Sequence, residues 1–295
     1  MINLNKKIII GTAQFGSKYG ITNQIGELSF SEIKKIVDEA KKQNVNFYDT
    51  SPVYGTAEIK LGKCLNNNSK VITKISGNKD NYFDKQNLRK IEKVFLKSLK
   101  DLKLKKIYGL LMHSTEDLYK KNNKILIDFL ESLKKNNIVE KIGVSIYEKK
   151  DLDNAVKIFH PDIIQLPISI ADQRLLKNNF LNYIKKMNIE IHARSIFLQG
   201  LLVSRTKSLP KNLNLIRNYL FNFNKKLKQN ELKPLDACLS FINNIPEIDK
   251  FVIGFTSLNE FKEVLRINCK KKSKFNCFDQ FKLINFLLKI TFQQN

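Results

Sequence analysis

The chain has 295 residues, 42% hydrophobic and 27% charged, which excludes intrinsic disorder and gives enough apolar material for a sizeable core. Its formal charge of +24 invites a nucleic-acid reading, but only six of the 52 basic residues are Arg, and the Lys are scattered among Asn and Ile. A solvated surface accounts for that spread, so no specific nucleic-acid partner is expected, only weak attraction to polyanions at low salt.

In chain order, short β-branched runs alternate with longer amphipathic stretches, the pattern of β-α units in a parallel sheet. Strands are expected at Lys7–Gly11, Asn46–Asp49, Lys70–Lys74, Ile107–His113, Lys141–Ser145, Ile163–Leu166, Ile189–Ser195 and Phe251–Gly254. Helices are expected between them at Ser31–Gln43, Asn87–Leu102, Lys124–Asn136, Leu152–Phe159, Gln173–Met187 and Leu258–Ile267, with Ser31, Asp151 and Ser257 as N-caps. After the seventh strand comes a long segment, Phe197–Leu232, containing a helical pattern at Leu213–Leu227; such an insertion usually roofs a barrel mouth. A further helix is expected near Leu235–Asn243, and Asp279–Ile290 reads as an extra C-terminal one.

Eight strands alternating with helices specify a (β/α)8 TIM barrel in the α/β class, read as one domain over residues 1–295. A doubly wound sheet is the rival, but Gly11, Gly16 and Gly20 after the first strand do not fit Gly-x-Gly-x-x-Gly. No run of about 18 apolar residues occurs, so neither a membrane span nor a signal peptide is expected. Cys64, Cys238, Cys269 and Cys277 form no Cys-x-x-Cys pair and read as free thiols in a reducing cytoplasm. No His, Cys and carboxylate cluster has ligand spacing, so no metal is expected.

A barrel carries its chemistry at the C-terminal ends of its strands. Asp49, Lys74, His113, Ser145, Gln165 and Ser195 all fall there. Each alone could be merely the first residue of a loop. Asp49, Lys74 and His113 gain weight with Tyr54, in the loop SPVYGTAE, because together they can make an acid. A free phenol ionises near pH 10, and a nearby ammonium favours the phenolate. At about 4 Å and a dielectric near 20 that attraction is worth roughly 4 kcal/mol, or about three pKa units as an upper limit. Asp49 would keep a buried Lys74 charged, and His113 could aim a carbonyl at the phenol. His160, before Pro161, and His192, inside the seventh strand, read as structural.

These residues resemble the aldo/keto reductase family. NFYDTSPVYGTAE is similar to that family's Asp-Thr-x-x-x-Tyr-Gly segment, VITK to its third strand and GLLMH to its fourth, and the order agrees along nearly the whole chain. The resemblance implies a nicotinamide-dependent reductase of aldehydes or ketones without a Rossmann domain. Asp49, Tyr54, Lys74 and His113 take the catalytic positions, with Tyr54 as proton donor. It also implies a cofactor site: Gly11, Thr12 and Asp49 at the first two strand ends, Ser145 and Gln165 near the nicotinamide amide, Ser195 near a phosphate, Thr256 and Ser257 at a helix start whose hydroxyls and N–H groups can receive a phosphate, and Gly254 and Glu263 toward the adenine end. Arg194 stands where many members stack an aromatic ring on the nicotinamide, a place a planar guanidinium can fill. NADP(H) is favoured by the family's habit and NAD(H) is possible, because Glu260 falls near a position often occupied by Arg in members that select NADP. The expected partner is a small-molecule carbonyl. Two alternatives stand beside this reading: a dinucleotide-binding barrel acting as a sensor or non-catalytic subunit, and a Schiff-base enzyme using Lys74.

Overall fold

The computed structural model describes residues 4–76, 80–204 and 214–267. Eight parallel strands close into a barrel in chain order: β1 (Ile8–Gly11), β2 (Phe47–Asp49), β3 (Lys70–Ile75), β4 (Ile107–Met112), β5 (Val139–Ser145), β6 (Ile163–Pro167), β7 (Glu190–Arg194) and β8 (Lys250–Gly254). Closure is made by β1 on β8, with Ile8 opposite Phe251 and Gly11 opposite Gly254. Every expected strand is present with its ends shifted by a residue or two. The expected helix Asp279–Ile290, Cys269 and Cys277 lie outside the described residues.

Ten helices accompany the strands among the described residues: α1 (Ala13–Gly16), α2 (Phe30–Lys42), α3 (Ala57–Gly62), α4 (Lys85–Leu102), α5 (Lys124–Lys135), α6 (Lys149–Ala155), α7 (Phe180–Lys186), α8 (Asn214–Gln229), α9 (Pro234–Asn243) and α10 (Leu258–Arg266). The outer helices follow the apolar stripes: α2 buries Ile33, Ile36, Val37 and Ala40, positions that share one face at 3.6 residues per turn. Its cap is Ser29, not Ser31, because Ser29 has the extended backbone that lets its hydroxyl accept from the Glu32 N–H. At α6 the cap is Glu148, and Asp151 serves as its capping-box partner three residues later, accepting from the Glu148 N–H at 2.9 Å. Ser257 caps α10 as expected. The single helix expected over Gln173–Met187 is broken into a 3-10 stretch, Arg174–Asn179, and α7, because Asn178 and Asn179 adopt left-handed φ of 54° and 53°. Asn tolerates that region where most residues do not. In the long segment after β7, α8 buries Ile216, Phe223 and Leu227 in the main core and contacts α9. Residues 205–213 of that segment are outside the described ones.

Side chains alternate between the barrel axis and the helix layer along each strand. The inward set includes Phe47 and Asp49 on β2, Lys70, Ile72 and Lys74 on β3, and Glu190, His192 and Arg194 on β7. Their middle level is apolar: Ile9, Phe47, Ile72, Tyr108, Leu111 and Ile163 form a cluster separate from the main core, with Val252 packed against it. Polar groups lie above and below this plug. His192, on the inward register of β7, is fully buried and pairs with Glu190 at 2.8 Å.

Two glycines set the Tyr54 loop. A Cβ on Gly16 would lie 1.9 Å from the Tyr54 carbonyl oxygen and 2.3 Å from the Ala57 nitrogen, and Gly55, at φ +57°, would collide with the Gly16 oxygen at 2.2 Å. These are backbone atoms that cannot step aside. Gly16→Ala is expected to cost on the order of 2–3 kcal/mol and to lower the melting temperature by roughly 4–10 °C, measured by calorimetry. An unchanged melting temperature would contradict this account of the loop.

Candidate active site

Asp49 and Lys74 end neighbouring stretches of β2 and β3, and their inward register brings them together at the C-terminal mouth. Lys74 Nζ donates to Asp49 Oδ1 at 2.6 Å and to the Thr50 carbonyl at 3.1 Å, with both charged side chains nearly inaccessible to water. The second Asp49 oxygen accepts from Gln165 Nε2 at 2.8 Å, reaching across the barrel from β6. Thr12 fixes the strand end itself, since its backbone N–H and its hydroxyl both donate to the Asp49 carbonyl at 2.9 and 3.0 Å. Tyr54, delivered by the loop after β2, places its ring centre 5.5 Å from Lys74 Nζ. His113 sits one residue beyond β4, its N–H bonded to the Ile75 carbonyl at 2.9 Å. Asp49, Tyr54, Lys74 and His113 thus gather at the C-terminal mouth, close enough for the charges of Lys74 and Asp49 to act on both Tyr54 and His113.

Burial by itself would strip the Lys74 ammonium of its proton, yet the Asp49 carboxylate, helped by Tyr54, outweighs it and holds the amine above its ordinary range. Tyr54 corrects the expectation of a depressed phenol: burial raises its pKa, and the opposing pull of Lys74 is the smaller effect. The phenol is therefore a protonated reservoir at neutral pH rather than a half-ionised acid. Burial, then the positive charges of Lys74 and Arg194, lower His113 to about 4 against a partial counterweight from Asp49. At neutral pH its imidazole is neutral, suited to hydrogen-bonding a carbonyl and not to donating charge.

Around the four lie the residues expected to hold a cofactor. Ser145 ends β5 and is buried, with no hydrogen bond to its hydroxyl among the described residues; Gln165 donates to Asp49 and keeps its amide oxygen free of protein donors there. Donor and acceptor are thus both on offer to a carboxamide, and the residues present fit a nicotinamide. Arg194 lays its guanidinium 4.3 Å from the Tyr147 ring centre, while its Nη2 is buried without a partner. Ser195 follows at φ +59°, and the turn continues with left-handed Leu198, Gln199 and Gly200, a run of unfavourable conformations of the kind found at binding loops. The loop after β1 rests on this turn: a Cβ on Gly200 would meet Thr22 Oγ1 at 2.1 Å. Gly11 lies opposite both Asp49 and Gly254, so β1 spans the gap between the Asp49–Lys74 pair and the eighth strand. Gln14 lies directly over Gly254.

At the start of α10 the groups expected to receive a phosphate are already engaged. The Thr256 N–H and hydroxyl donate to Glu260 at 2.6 and 2.7 Å, the Leu258 N–H donates to Glu32 at 2.7 Å, and Ser257 Oγ accepts from the Glu260 N–H. Glu263 is exposed on the same helix. Two carboxylates, Glu260 and Glu32, thus hold the donors at the start of this helix.

Sequence reasoning missed Thr50, Tyr147 and Glu58. Thr50 contributes through its carbonyl, for which no side-chain signal exists. Tyr147 is an ordinary loop aromatic until Arg194 lies on it. Glu58 was visible as a carboxylate among the inward residues of α3; buried, it accepts from Thr73 at 2.6 Å and braces the residue before Lys74.

The Aldo/keto reductase family model matches residues 7–281. Among solved structures, an aldo-keto reductase from Bacillus halodurans in its holo form superimposes with a TM-score of 0.71 at 18% identity, covering 97% of this chain and 91% of that one. A glycerol dehydrogenase from Gluconobacter oxydans gives 0.64 at 18% identity over 97% and 90%, and a protein described as a putative aldo-keto reductase from Pseudomonas aeruginosa gives 0.63 at 17% over 88% of each chain. Among curated proteins no relative matches. The chain belongs to the aldo/keto reductase family of oxidoreductases. No helix among the described residues is long and apolar enough to cross a membrane.

Two consequences of the site can be measured. Asp49→Asn leaves Lys74 buried without its counter-charge, and is expected to cost about 3–5 kcal/mol in urea unfolding; a loss below about 1 kcal/mol would mean the pair is solvated. His113 ionises near 6.5 when unfolded and at about 4 when folded, so the unfolded chain binds the extra proton between those values. Stability should fall as pH drops through that window and level off below it. In His113→Gln the drop in urea midpoint between pH 6.5 and 4 should be smaller than in the native chain.

Proposed function

We propose that the protein reduces an aldehyde or ketone using a nicotinamide dinucleotide, with Tyr54 giving the proton and Asp49, Lys74 and His113 setting its surroundings. The observation that carries this is the buried Lys74 ammonium, held by Asp49 at 2.6 Å and presented to the Tyr54 ring. A reduced nicotinamide supplies hydride when bound. The carbonyl oxygen then gathers negative charge and becomes far more basic than a phenolate, so Tyr54 can protonate it even with its pKa raised. Lys74 stabilises the phenolate left behind, and Asp49 keeps Lys74 charged through the cycle. Neutral His113 orients the carbonyl by a single hydrogen bond. The same ion pair argues against the Schiff-base alternative, because an amine must be neutral to attack a carbonyl and Asp49 holds this one protonated.

The proposed cofactor contacts are Gly11, Thr12, Ser145, Gln165, Arg194, Ser195 and Gly254, with Thr256, Ser257 and Glu263 at the adenine end. For the dinucleotide the reading turns from NADP(H), which rested on the resemblance alone, to NAD(H). A 2′-phosphate at this helix start would meet Glu260 and Glu32 and would have to displace Glu260 from the Thr256 N–H and hydroxyl. Like charges at close range and donors already satisfied both disfavour it.

Tyr54→Phe is expected to reduce turnover about 10²-fold or more while leaving cofactor affinity unchanged; equal loss of both would remove the assigned role. With no Trp in the chain, binding is best followed by the emission of the reduced nicotinamide itself. NADH should bind at least tenfold more tightly than NADPH, and Glu260→Arg should narrow that gap. Preference for NADPH by the native chain would refute the reading of α10.

A further inference from the structure

The barrel's opposite end carries a second polar constellation that the reductase reading does not use. Lys70, Lys141 and Lys250 begin or enter β3, β5 and β8 on the inward register and converge on one aromatic pair. Phe47 and Tyr108 meet edge to face at 5.0 Å. Lys70 Nζ lies 5.3 and 5.2 Å from their centres, Lys141 Nζ 5.1 Å from that of Tyr108, and Lys250 Nζ 3.9 Å from that of Phe47. Three carboxylates line this end, Glu140, Glu190 and Asp249, and the last two already accept from several donors. Glu190 accepts from the Tyr108 hydroxyl at 2.6 Å, pairs with His192 at 2.8 Å and binds Lys141. Asp249 accepts from Lys185 at 2.8 Å and from the Ile191 N–H at 2.7 Å. Lys250 donates only to the Lys6 carbonyl at 3.0 Å, and among the described residues neither Lys70 nor Lys250 has a carboxylate partner. Burial, with Lys70 and Lys141 alongside, depresses Lys250 even though Glu190 and Asp249 pull the other way.

These lysines line a cavity of about 850 Å³, and a second of about 580 Å³ meets it at Asn44, Asn46, Lys70 and Tyr108. That is room for a small molecule. Lys binds phosphate as a point charge, and the Asn amides at the junction supply further donors. We propose that this N-terminal mouth binds a small multivalent phosphate, with Lys70 and Lys250 as its principal contacts. The TIM-barrel face opposite the chemistry ordinarily serves stability alone, and the apolar plug separates this site from the tetrad, so the proposal stands whether or not the reductase reading does.

The test is calorimetric titration of the full chain with inorganic pyrophosphate and, separately, ADP at about 0.15 M salt, where diffuse attraction is screened. One site per chain is expected, with affinity falling at least tenfold in Lys70→Gln/Lys250→Gln. The exposed pair Lys34→Gln/Lys97→Gln removes the same charge and should change nothing. If the double variant fails to fold, exposed Lys70→Gln alone should still weaken binding several-fold. Pyrophosphate binding without ADP binding assigns the site to free phosphates; binding of both extends it to phosphate groups on nucleotides. The proposal is overturned by absence of one-site binding, by equal losses in the two double variants, by displacement of pyrophosphate by NADH, or by tighter binding of a single-stranded oligonucleotide through the same lysines.

Discussion

A carboxylate and an ammonium 2.6 Å apart, almost sealed from water, govern the C-terminal mouth of this barrel. Such a pair is costly to bury and strongly destabilising to break, so it persists where the surrounding hydrogen bonds complete it. Here Thr50 takes a second Lys74 proton, Gln165 covers the far oxygen of Asp49, and Thr12 pins the strand end from behind. Four strands therefore contribute to one ion pair. Its charge state decides the behaviour of its neighbours: a protonated Lys74 offsets part of the burial that raises Tyr54 and adds to the burial that lowers His113.

The barrel itself was legible because its signal is periodic and redundant. Eight apolar runs and the amphipathic stretches between them leave few other architectures, and strand ends moved by only a residue or two. The four residues gathered at the C-terminal mouth were legible for a related reason: strand ends are fixed by pattern, and complementary side chains at several of them are hard to read as loop residues. What escaped were features decided by local geometry. Ser29 and Ser31 are equivalent as letters, and only the backbone angles choose between them. The break at Asn178 and Asn179 is invisible to a hydrophobic pattern that runs on through it.

Two electrostatic expectations changed with the structure, one through burial and one through competing carboxylates. The benefit of an ammonium to the phenol was foreseen; the larger cost of enclosing that phenol was not. At α10 the hydroxyls and free N–H groups looked like an anion seat, but the helix satisfies them with Glu260 and with Glu32 from across the fold. A carboxylate four residues along a helix is within reach of its own N-terminus, so the letters that suggested a phosphate site also supplied its competitor.

The hydrophobic stopper across the middle of the barrel, built from Ile9, Phe47, Ile72, Tyr108, Leu111 and Ile163, makes the molecule two-faced in an electrical sense. The charges that act on Tyr54, Lys74 and His113 all belong to their own opening, and those that act on Lys250 all belong to the other. Natural drift or deliberate redesign can therefore rewrite the charges at either opening as a separate undertaking.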